Sequence, residues 1–251
     1  MTPNTIPVLL TSSVVAHDAG VALKDTQERI RLTLESIREW LGVDPALRIV
    51  VCDGSDYDFS ADVAQRFPGA AIECLHFENP QDLVKVHGRG YGEGEIVRHA
   101  LTHSRFVAQA GCFAKCTSKL WVANFAQCAV DWQGDMAFKA VFLDVFSPWR
   151  KTRLAYIDTR FYITSCESYR RYFENAHQRI RAADGHGLEE CFRDIFVQHG
   201  LRHALFRVPP VICGVGGGTG VYYRNPLKRR LKEKLRLALV RLTPRFRAYF
   251  P

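Results

Sequence analysis

Three short apolar runs and two helical segments alternate over the first third of the chain. The runs at residues 7–15, 48–52 and 71–77 are β-branched in part and have the length of buried strands. Residues 26–41 repeat apolar side chains with a helical period, and residues 60–67 fit a short helix. This alternation predicts an α/β fold in which helices cover both faces of a mostly parallel, Rossmann-like sheet.

Caps and further patterns set the boundaries of the remaining elements. Asp25 or Thr26 is the predicted N-cap of the first helix, and Gly42 is its predicted end. A basic helix begins near Pro226, so we divide the chain into a domain at 1–224 and an appended helix at 225–251. The other predictions are strands at 119–122, 137–146 and 156–164, helices at 93–103, 167–173 and 188–199, and a loop at 208–223.

Polar residues follow the first two predicted strands. In open parallel sheets, ligands bind beyond the carboxyl ends of the strands. Thr11 and Ser12 occupy this position after the first strand, and Asp53 occupies it after the second. Asp53 can accept hydrogen bonds from a ribose or a base edge, and the Gly-Ser turn after it permits a close approach. Alternatively, Asp53 bonds only to the amides of its own turn.

An Asp-x-Asp triplet, Asp56-Tyr-Asp58, closes the same turn. Two such carboxylates can hold a divalent cation on a diphosphate. Because so short a triplet is common by chance, the sequence favours a site with no metal ligands, and we expect that a divalent metal is not required.

Four glycines occur in the seven residues 88–94, before a predicted helix. Glycines there expose backbone amides to an anion at the helix N-terminus, and so many glycines are costly to order. We therefore expect a functional loop in which Gly90 and Gly92 contact a ligand. Glu93 suits the first turn of the helix or binds sugar hydroxyls.

Two lysines, Lys115 and Lys119, lie four residues apart in a polar segment between apolar stretches. They can neutralise a diphosphate leaving group, as a metal does elsewhere. Lysines at a strand end are more often only solvated, so both interpretations stay open.

Two later segments carry further candidates. Asp158 and Arg160 lie two apart on a predicted strand and point to the same face. Either they pair with each other, or Asp158 acts on a hydroxyl while Arg160 holds an anion. Glu189, at a predicted helix start, is stabilised there by the helix dipole or acts as a general base on an acceptor hydroxyl.

The C-terminal segment carries much of the formal net charge of +8. It has nine basic residues between 228 and 247 against one acid, Glu233. Its apolar face comprises Leu227, Leu231, Leu235, Ala238, Leu242 and Phe246. This basic amphipathic pattern predicts binding to an anionic membrane surface. The predicted contacts are Leu231, Leu235, Lys228, Arg229 and Arg230. The alternatives are a helix packed on its own domain and a tail that binds nucleic acid, which is not the expected partner.

Composition narrows the class and the compartment. The chain has 251 residues, of which 47% are hydrophobic and 24% charged, as in ordinary globular proteins. Eight dispersed cysteines are typical of buried free thiols in a reducing compartment. Cys112 and Cys116 lack the second pair that a zinc site needs. The N-terminus has no basic region with a long apolar stretch, so we expect no signal peptide and a cytoplasmic protein.

Taken in order, these segments resemble bacterial polysaccharide and lipopolysaccharide glycosyltransferases with a GT-A-like nucleotide-binding domain. The similar segments are Leu9-Leu-Thr-Ser-Ser, the Val-Val-Cys-Asp-Gly-Ser turn, Gly-Tyr-Gly-Glu-Gly-Glu, Lys115-Cys-Thr-Ser-Lys-Leu, Asp158-Thr-Arg-Phe-Tyr and the late glycine-rich loop. They span most of residues 7–224. Those enzymes usually have an Asp-x-Asp near the position of Lys115 and Lys119, where this sequence has none.

The resemblance implies an enzyme that moves a sugar from a nucleotide-sugar donor to a lipid-linked, lipopolysaccharide or capsule glycan acceptor. Asp53 would hold the nucleoside, Glu189 or Asp158 would be the base, and the two lysines would replace a metal. It also implies a peripheral position on the inner face of the membrane. The alternative is an α/β module that binds nucleic acid or membrane without catalysis. Methyl transfer is disfavoured, because the loop after the first strand lacks glycine-rich turns.

Overall fold

A six-stranded sheet organises the part of the chain that the computed structural model describes, residues 6–16, 20–130, 132–218, 220–223 and 226–251. The strands are β1 (Val8–Ser12), β2 (Ile49–Asp53), β3 (Ile72–His76), β4 (Cys112–Thr117), β5 (Leu120–Val122), β6 (Met136–Leu143), β7 (Arg153–Ser165) and β8 (Ile212–Gly214). The helices are α1 (Thr26–Val43), α2 (Ser60–Arg66), α3 (Gln81–His87), α4 (Arg89–His103), α5 (Arg105–Ala110), α6 (Phe125–Val130), α7 (Cys166–Tyr172), α8 (Leu188–Gln198), α9 (Leu227–Leu242) and α10 (Pro244–Arg247).

The sheet has the strand order β3-β2-β1-β4-β7-β6. The first four of these strands run parallel, and β7 is antiparallel to both β4 and β6. The predicted mixed α/β fold with a mostly parallel sheet is confirmed. From β1 the chain proceeds to β2 and β3 on one side, and β4 joins on the other, so the strand order switches between β1 and β4. That edge is where open α/β sheets bind ligands.

Both faces of the sheet are buried, because neighbouring residues of one strand belong to different cores. Leu9 packs in a core with residues of α4 and α8, whereas Leu10 packs in a second core with residues of α1 and α6. Because both faces are buried, the sequences of these strands are continuous apolar runs. All eight cysteines are free thiols, and six of them are buried, as the sequence predicts.

The predicted cap of α1 is confirmed at Asp25, whose carboxylate accepts a hydrogen bond from the Glu28 amide at 2.6 Å. The predicted end at Gly42 is wrong by one residue: the helix continues to Val43, and Asp44 is its C-cap. The sequence pattern did not predict β4 or the short helices α3, α5 and α6. The strand predicted at 119–122 is β5, which pairs with β8, a strand inside the predicted loop, in a separate two-stranded sheet.

The loop conformation predicted at 88–94 is wrong: Gly88 is the N-cap of α4, and the helix begins at Arg89. Its glycines allow close packing on two sides of the helix. A Cβ on Gly94 would lie 2.3–2.5 Å from His177 atoms, one on Gly92 3.1 Å from the Asn79 amide nitrogen, and one on Gly90 3.0 Å from Leu188. Glycine clusters serve loops and close helix packing alike, and the sequence pattern does not separate these uses.

Helix α9 packs against the domain, and the leucines that the sequence assigns to a membrane contact remain exposed. Leu237 and Val240 are buried in the same core as Phe246, while Leu231 and Leu235 are 65% and 55% exposed. The side chain of Leu227 and residues 224–225, where the predicted boundary falls, lie outside the described residues. Within those residues, no helix is both long enough and apolar enough to cross a membrane.

The close packing of α4 leads to a stability prediction. Gly94→Ala should lower the free energy of unfolding by about 1–3 kcal/mol, because the new methyl group overlaps the buried His177 ring. Gly42→Ala, in an exposed turn of α1 with no atom within 4 Å of the new Cβ, should instead raise it by about 0.5–1 kcal/mol. Urea unfolding of both variants checks this. Equal stability of the two would show that α4 does not depend on the close approach.

Candidate anion-binding cleft

A cleft opens where the strand order switches, at the carboxyl ends of β1 and β4. The end of β1 contributes Thr11 and Ser12, and the segment after β4 contributes Lys119. The first turns of α4 and α8 form one wall, and the glycine loop at 216–218 forms another. The topology of the sheet thus gathers residues that are far apart in the sequence.

Three buried polar atoms on the cleft wall have no hydrogen-bond partner among the described residues. They are Thr11 Oγ1, Ser12 Oγ and Asn79 Oδ1, on side chains that are 5%, 1% and 5% exposed. Buried polar groups are normally satisfied, and an unsatisfied one costs about 1–3 kcal/mol. A ligand with hydrogen-bonding groups would satisfy all three.

Asn79 is a cleft residue that the sequence reading missed. It lies three residues after β3, and its side chain packs against Gly54 and Gly92. A Cβ on Gly54 would lie only 2.3 Å from the Asn79 amide nitrogen. The signal available in the sequence was an asparagine just past a strand end, together with a glycine at the same end of the neighbouring strand.

Lys119 brings an unpaired positive charge into the cleft. Its side chain is 3% exposed, and its Nζ lies 3.4 Å from Ser118 Oγ. No carboxylate of the described ranges forms an ion pair with it. Burial and the nearby Arg29 guanidinium lower the pKa of Lys119 to about 7. An anion in the cleft would supply the missing counter-charge.

Arg29, which the sequence reading did not single out, adds a second buried cation. It belongs to the first turn of α1 and is 7% exposed. Its Nε donates to the Ser13 carbonyl and its Nη1 to the Leu23 carbonyl, both at 2.8 Å. The side chain thereby fixes the loop between β1 and α1, and the Asp53 carboxylate also stabilises its charge.

Lys115 does not line the cleft, contrary to its predicted role at the phosphate. It lies in the middle of β4 with no exposed surface. Its Nζ is 2.7 Å from a Glu93 carboxylate oxygen and donates to the Thr159 carbonyl at 2.8 Å. Lys115 therefore holds Glu93, and it is Glu93 that reaches the cleft wall.

Asp158 and Arg160 form the ion pair that the sequence left as one of two alternatives. Arg160 Nε donates to Asp158 Oδ1 at 2.8 Å, and Nη2 engages Oδ2. Although burial opposes ionisation, these bonds lower the pKa of the Asp158 carboxyl. Asp158 is 2% exposed and is not on the cleft wall. Arg160 is on the wall, with its guanidinium 5.0 Å from the centre of the Tyr223 ring.

Two adjacent glutamates at the start of α8 have different surroundings. The Glu190 carboxylate accepts a hydrogen bond from the Gly187 amide at 3.0 Å and so caps the helix. Glu189 is on the cleft wall and half-buried. Burial raises the pKa of the Glu189 carboxyl, and the Glu93 carboxylate adds to this shift.

The predicted nucleoside ligand Asp53 lies below the cleft, fully buried. Its carboxylate accepts hydrogen bonds from the amides of Val14 at 3.1 Å and Ser55 at 2.8 Å. This arrangement matches the turn alternative that the sequence left open. In the triplet that follows, Asp56 contacts His76 at 2.8 Å and Asp58 caps Ser60 at 2.8 Å. The described ranges hold no cluster of three or more His, Cys, Asp or Glu side chains suited to a metal ion.

The late glycine loop lies directly beside the buried lysine. Gly214 has φ +102°, and a Cβ there would lie 2.3 Å from the Lys119 carbonyl oxygen, so only glycine fits. A Cβ on Gly217 would lie 3.6–3.9 Å from the Lys119 side chain. The loop predicted from composition therefore forms one side of the cleft.

No protein-family model matches the chain, and no curated protein is similar to it in sequence. Among solved structures, it is similar to the galactosyltransferase LgtC in complex with donor and acceptor sugar analogs, at 10% identity and a TM-score of 0.46 over 76% of this chain. The chain spans 66% of the length of LgtC.

Two further likenesses are to HddC from Yersinia pseudotuberculosis and to 4-diphosphocytidyl-2C-methyl-D-erythritol synthase. HddC is 12% identical with a TM-score of 0.36, over 64% of this chain and 77% of that one. The synthase is 10% identical with a TM-score of 0.39, over 92% and 98%. At TM-scores below 0.5, none of these likenesses carries an argument about what this chain does.

Proposed function

We propose that the protein is a glycosyltransferase that uses a nucleotide-sugar donor bound in the cleft. The observation that carries the proposal is the unpaired buried Lys119 beside three unsatisfied polar atoms, at the switch in strand order. A diphosphate supplies the missing negative charge, and ribose or sugar hydroxyls supply the missing hydrogen bonds. Nucleotides are the ligands that this edge of an α/β sheet commonly binds.

Each cleft residue has a role that follows from its surroundings. Lys119 and Arg29 face the donor diphosphate, and Arg160 adds charge from β7. Thr11, Ser12 and Asn79 bind hydroxyls. Glu93, held by Lys115, accepts from a sugar hydroxyl, and Gly90 and Gly92 shape the cleft wall by letting Leu188 and Asn79 approach α4. Asp53 acts below the donor by fixing the turn beside the nucleoside.

Glu189 is the base in the proposed step. Its carboxylate takes the proton of an acceptor hydroxyl while that oxygen forms a bond to the anomeric carbon of the donor sugar. The bond from the anomeric carbon to the phosphate oxygen breaks, and its electron pair leaves with the nucleoside diphosphate. A raised carboxyl pKa brings Glu189 closer to the pH at which a general base works well.

The cations of the cleft stabilise the leaving group in this scheme, without a divalent metal. Preorganised charges in a dry site stabilise developing negative charge strongly, because no reorganisation is needed during the step. Asp158 positions Arg160 and does not itself touch the substrate.

The acceptor in this proposal is a lipid-linked or lipopolysaccharide glycan at the inner face of a membrane. Leu231, Leu235 and Leu242 form an exposed leucine stripe on α9, with 55–78% of each side chain exposed. Lys228 lies near this stripe. Exposed leucines next to basic residues are the pattern that interfacial helices bury among anionic headgroups.

A nucleotide panel tests the donor site. UDP, GDP, CMP and UMP, each with and without manganese, are compared for the rise they cause in melting temperature. We expect a rise with one of them that does not need manganese. Affinity should be full below pH 7 and fall as the pH rises through 7, because the free Lys119 then loses its proton.

Lys119→Gln is the matched variant for this panel. It should weaken binding and flatten the pH dependence, whereas Lys85→Gln, on the exposed surface of α3, should change neither. If no nucleotide raises the melting temperature, the proposed function is wrong, and the alternative of a non-catalytic binding module is favoured.

Glu189→Gln should lower kcat by about 10²–10⁴-fold, the range for losing a general base, with donor affinity within about twofold. The neighbouring Glu190→Gln keeps a capping group and should retain activity. Steady-state kinetics and nucleotide binding are measured on both variants. Full activity in Glu189→Gln would show that another group takes the proton.

Vesicle sedimentation tests the membrane position. Leu231→Glu/Leu235→Glu should reduce binding to phosphatidylglycerol vesicles by about tenfold or more, as expected from losing buried leucine area. Leu83→Glu/Val86→Glu makes the same change on two exposed apolar residues of α3 and should have a smaller effect. An equal loss of vesicle binding in the two double variants would show that net charge, and not the leucine stripe, determines binding.

A further inference from the structure

A second cavity, here called the basic groove, lies between α9 and the β6–β7 edge of the sheet. Its lining includes the apolar side chains of Phe142, Ile212 and Leu237. Its rim is strongly cationic. The basic side chains that line it are Lys139, Arg160, Arg229, Arg230, Lys232, Lys234 and Arg236. Among the lining residues that the structure describes, Glu233 is the one acid.

Among the described residues, carboxylates form ion pairs with three of these seven basic side chains: Glu233 with Lys139 and Arg236, and Asp158 with Arg160. Glu233 lies 2.9 Å from Arg236 Nη1 and 3.9 Å from Lys139 Nζ. The Nε of Arg236 is buried and has no hydrogen-bond partner among the described residues. Several positive charges held in one concave site raise the local concentration of anions.

The basic groove adjoins the donor cleft. Arg160 and Tyr223 line both cavities. Arg160 is fixed there by Asp158 at one end and by the Tyr223 ring, 5.0 Å away, on its face. These two side chains therefore stand at the boundary between the groove and the cleft.

We propose that the basic groove binds a phosphate or diphosphate group of the acceptor, and that the acceptor hydroxyl enters the cleft past Arg160 and Tyr223. This inference rests on the proposed function for its reaction. The lining of the groove by itself indicates the ligand: a phosphate group attached to a molecule with an apolar surface. Arginine forks and lysines recognise phosphate by charge-assisted hydrogen bonds.

The groove and the leucine stripe lie on opposite sides of α9. At 3.6 residues per turn, Leu231 and Leu235 are about half a turn from Glu233 and Leu237, which face the groove. The exposed and buried residues of α9 follow this division. Most basic residues of α9 thus face a cavity of the protein, and the leucine stripe is free to meet the bilayer.

The test is isothermal titration of inorganic pyrophosphate into the full chain. We expect two binding events. Lys119→Gln should remove the cleft event and leave the other. Arg230→Gln/Lys232→Gln should weaken the groove event about tenfold or more, as expected from losing two charge-assisted contacts. Both residues are exposed, so folding should be unaffected.

Arg245→Gln/Arg247→Gln is the charge-matched control, since α10 does not line the groove. It should leave both events unchanged. Equal weakening by the two double variants would overturn the proposal in favour of general attraction. Binding to phosphatidylglycerol vesicles with no groove event for pyrophosphate would also overturn it. If pyrophosphate still binds in the groove while no nucleotide binds to the protein, the proposed function is wrong and the phosphate site in the groove is retained.

Discussion

A lysine charge buried in the central strand of the sheet governs the arrangement around the cleft. Lys115 has no exposed surface, and such a charge is tolerated only when it is paired and hydrogen-bonded. Its partners are Glu93 on α4 and the Thr159 carbonyl on β7. Removing one partner of a buried ion pair typically destabilises by about 3–5 kcal/mol. The pair therefore fixes α4 close to the sheet, and the glycines of α4 let His177, Asn79 and Leu188 approach the helix from other sides.

The charged and polar groups of the cleft have fewer partners than the ion pairs beneath the cleft. Glu93 is balanced by Lys115, and Arg160 by Asp158. Lys119 has no such partner, and burial opposes its charge. Three unsatisfied polar atoms lie on the same wall. Each of these groups destabilises the free protein, and an anionic ligand offsets the cost. This imbalance is the physical reason for expecting a ligand here.

Local patterns predicted much of the fold because period and capping depend on neighbours in the sequence. The apolar runs of β1 and β2 and the Asp25 cap of α1 are examples. Predictions failed where one sequence pattern is compatible with two structures. Glycines at 90, 92 and 94 suit a loop or a tightly packed helix, and only the positions of Asn79 and His177 decide between them. The leucines of α9 predicted a membrane contact, and only the tertiary structure shows that the helix packs on the domain through Leu237 and Val240.

The sequence by itself determined the class of fold, the edge of the sheet where we expect a ligand, and the candidates Thr11, Ser12, Lys119 and Glu189. Only the tertiary structure decided which charges are already paired. Lys115 and Lys119 are equivalent as residue types, but one meets Glu93 and the other meets no carboxylate of the described residues. The physical reason is distance: electrostatic and hydrogen-bond energies fall off within a few ångströms, and partners such as Glu93 and Lys115 are brought together only by the packing of α4 against β4.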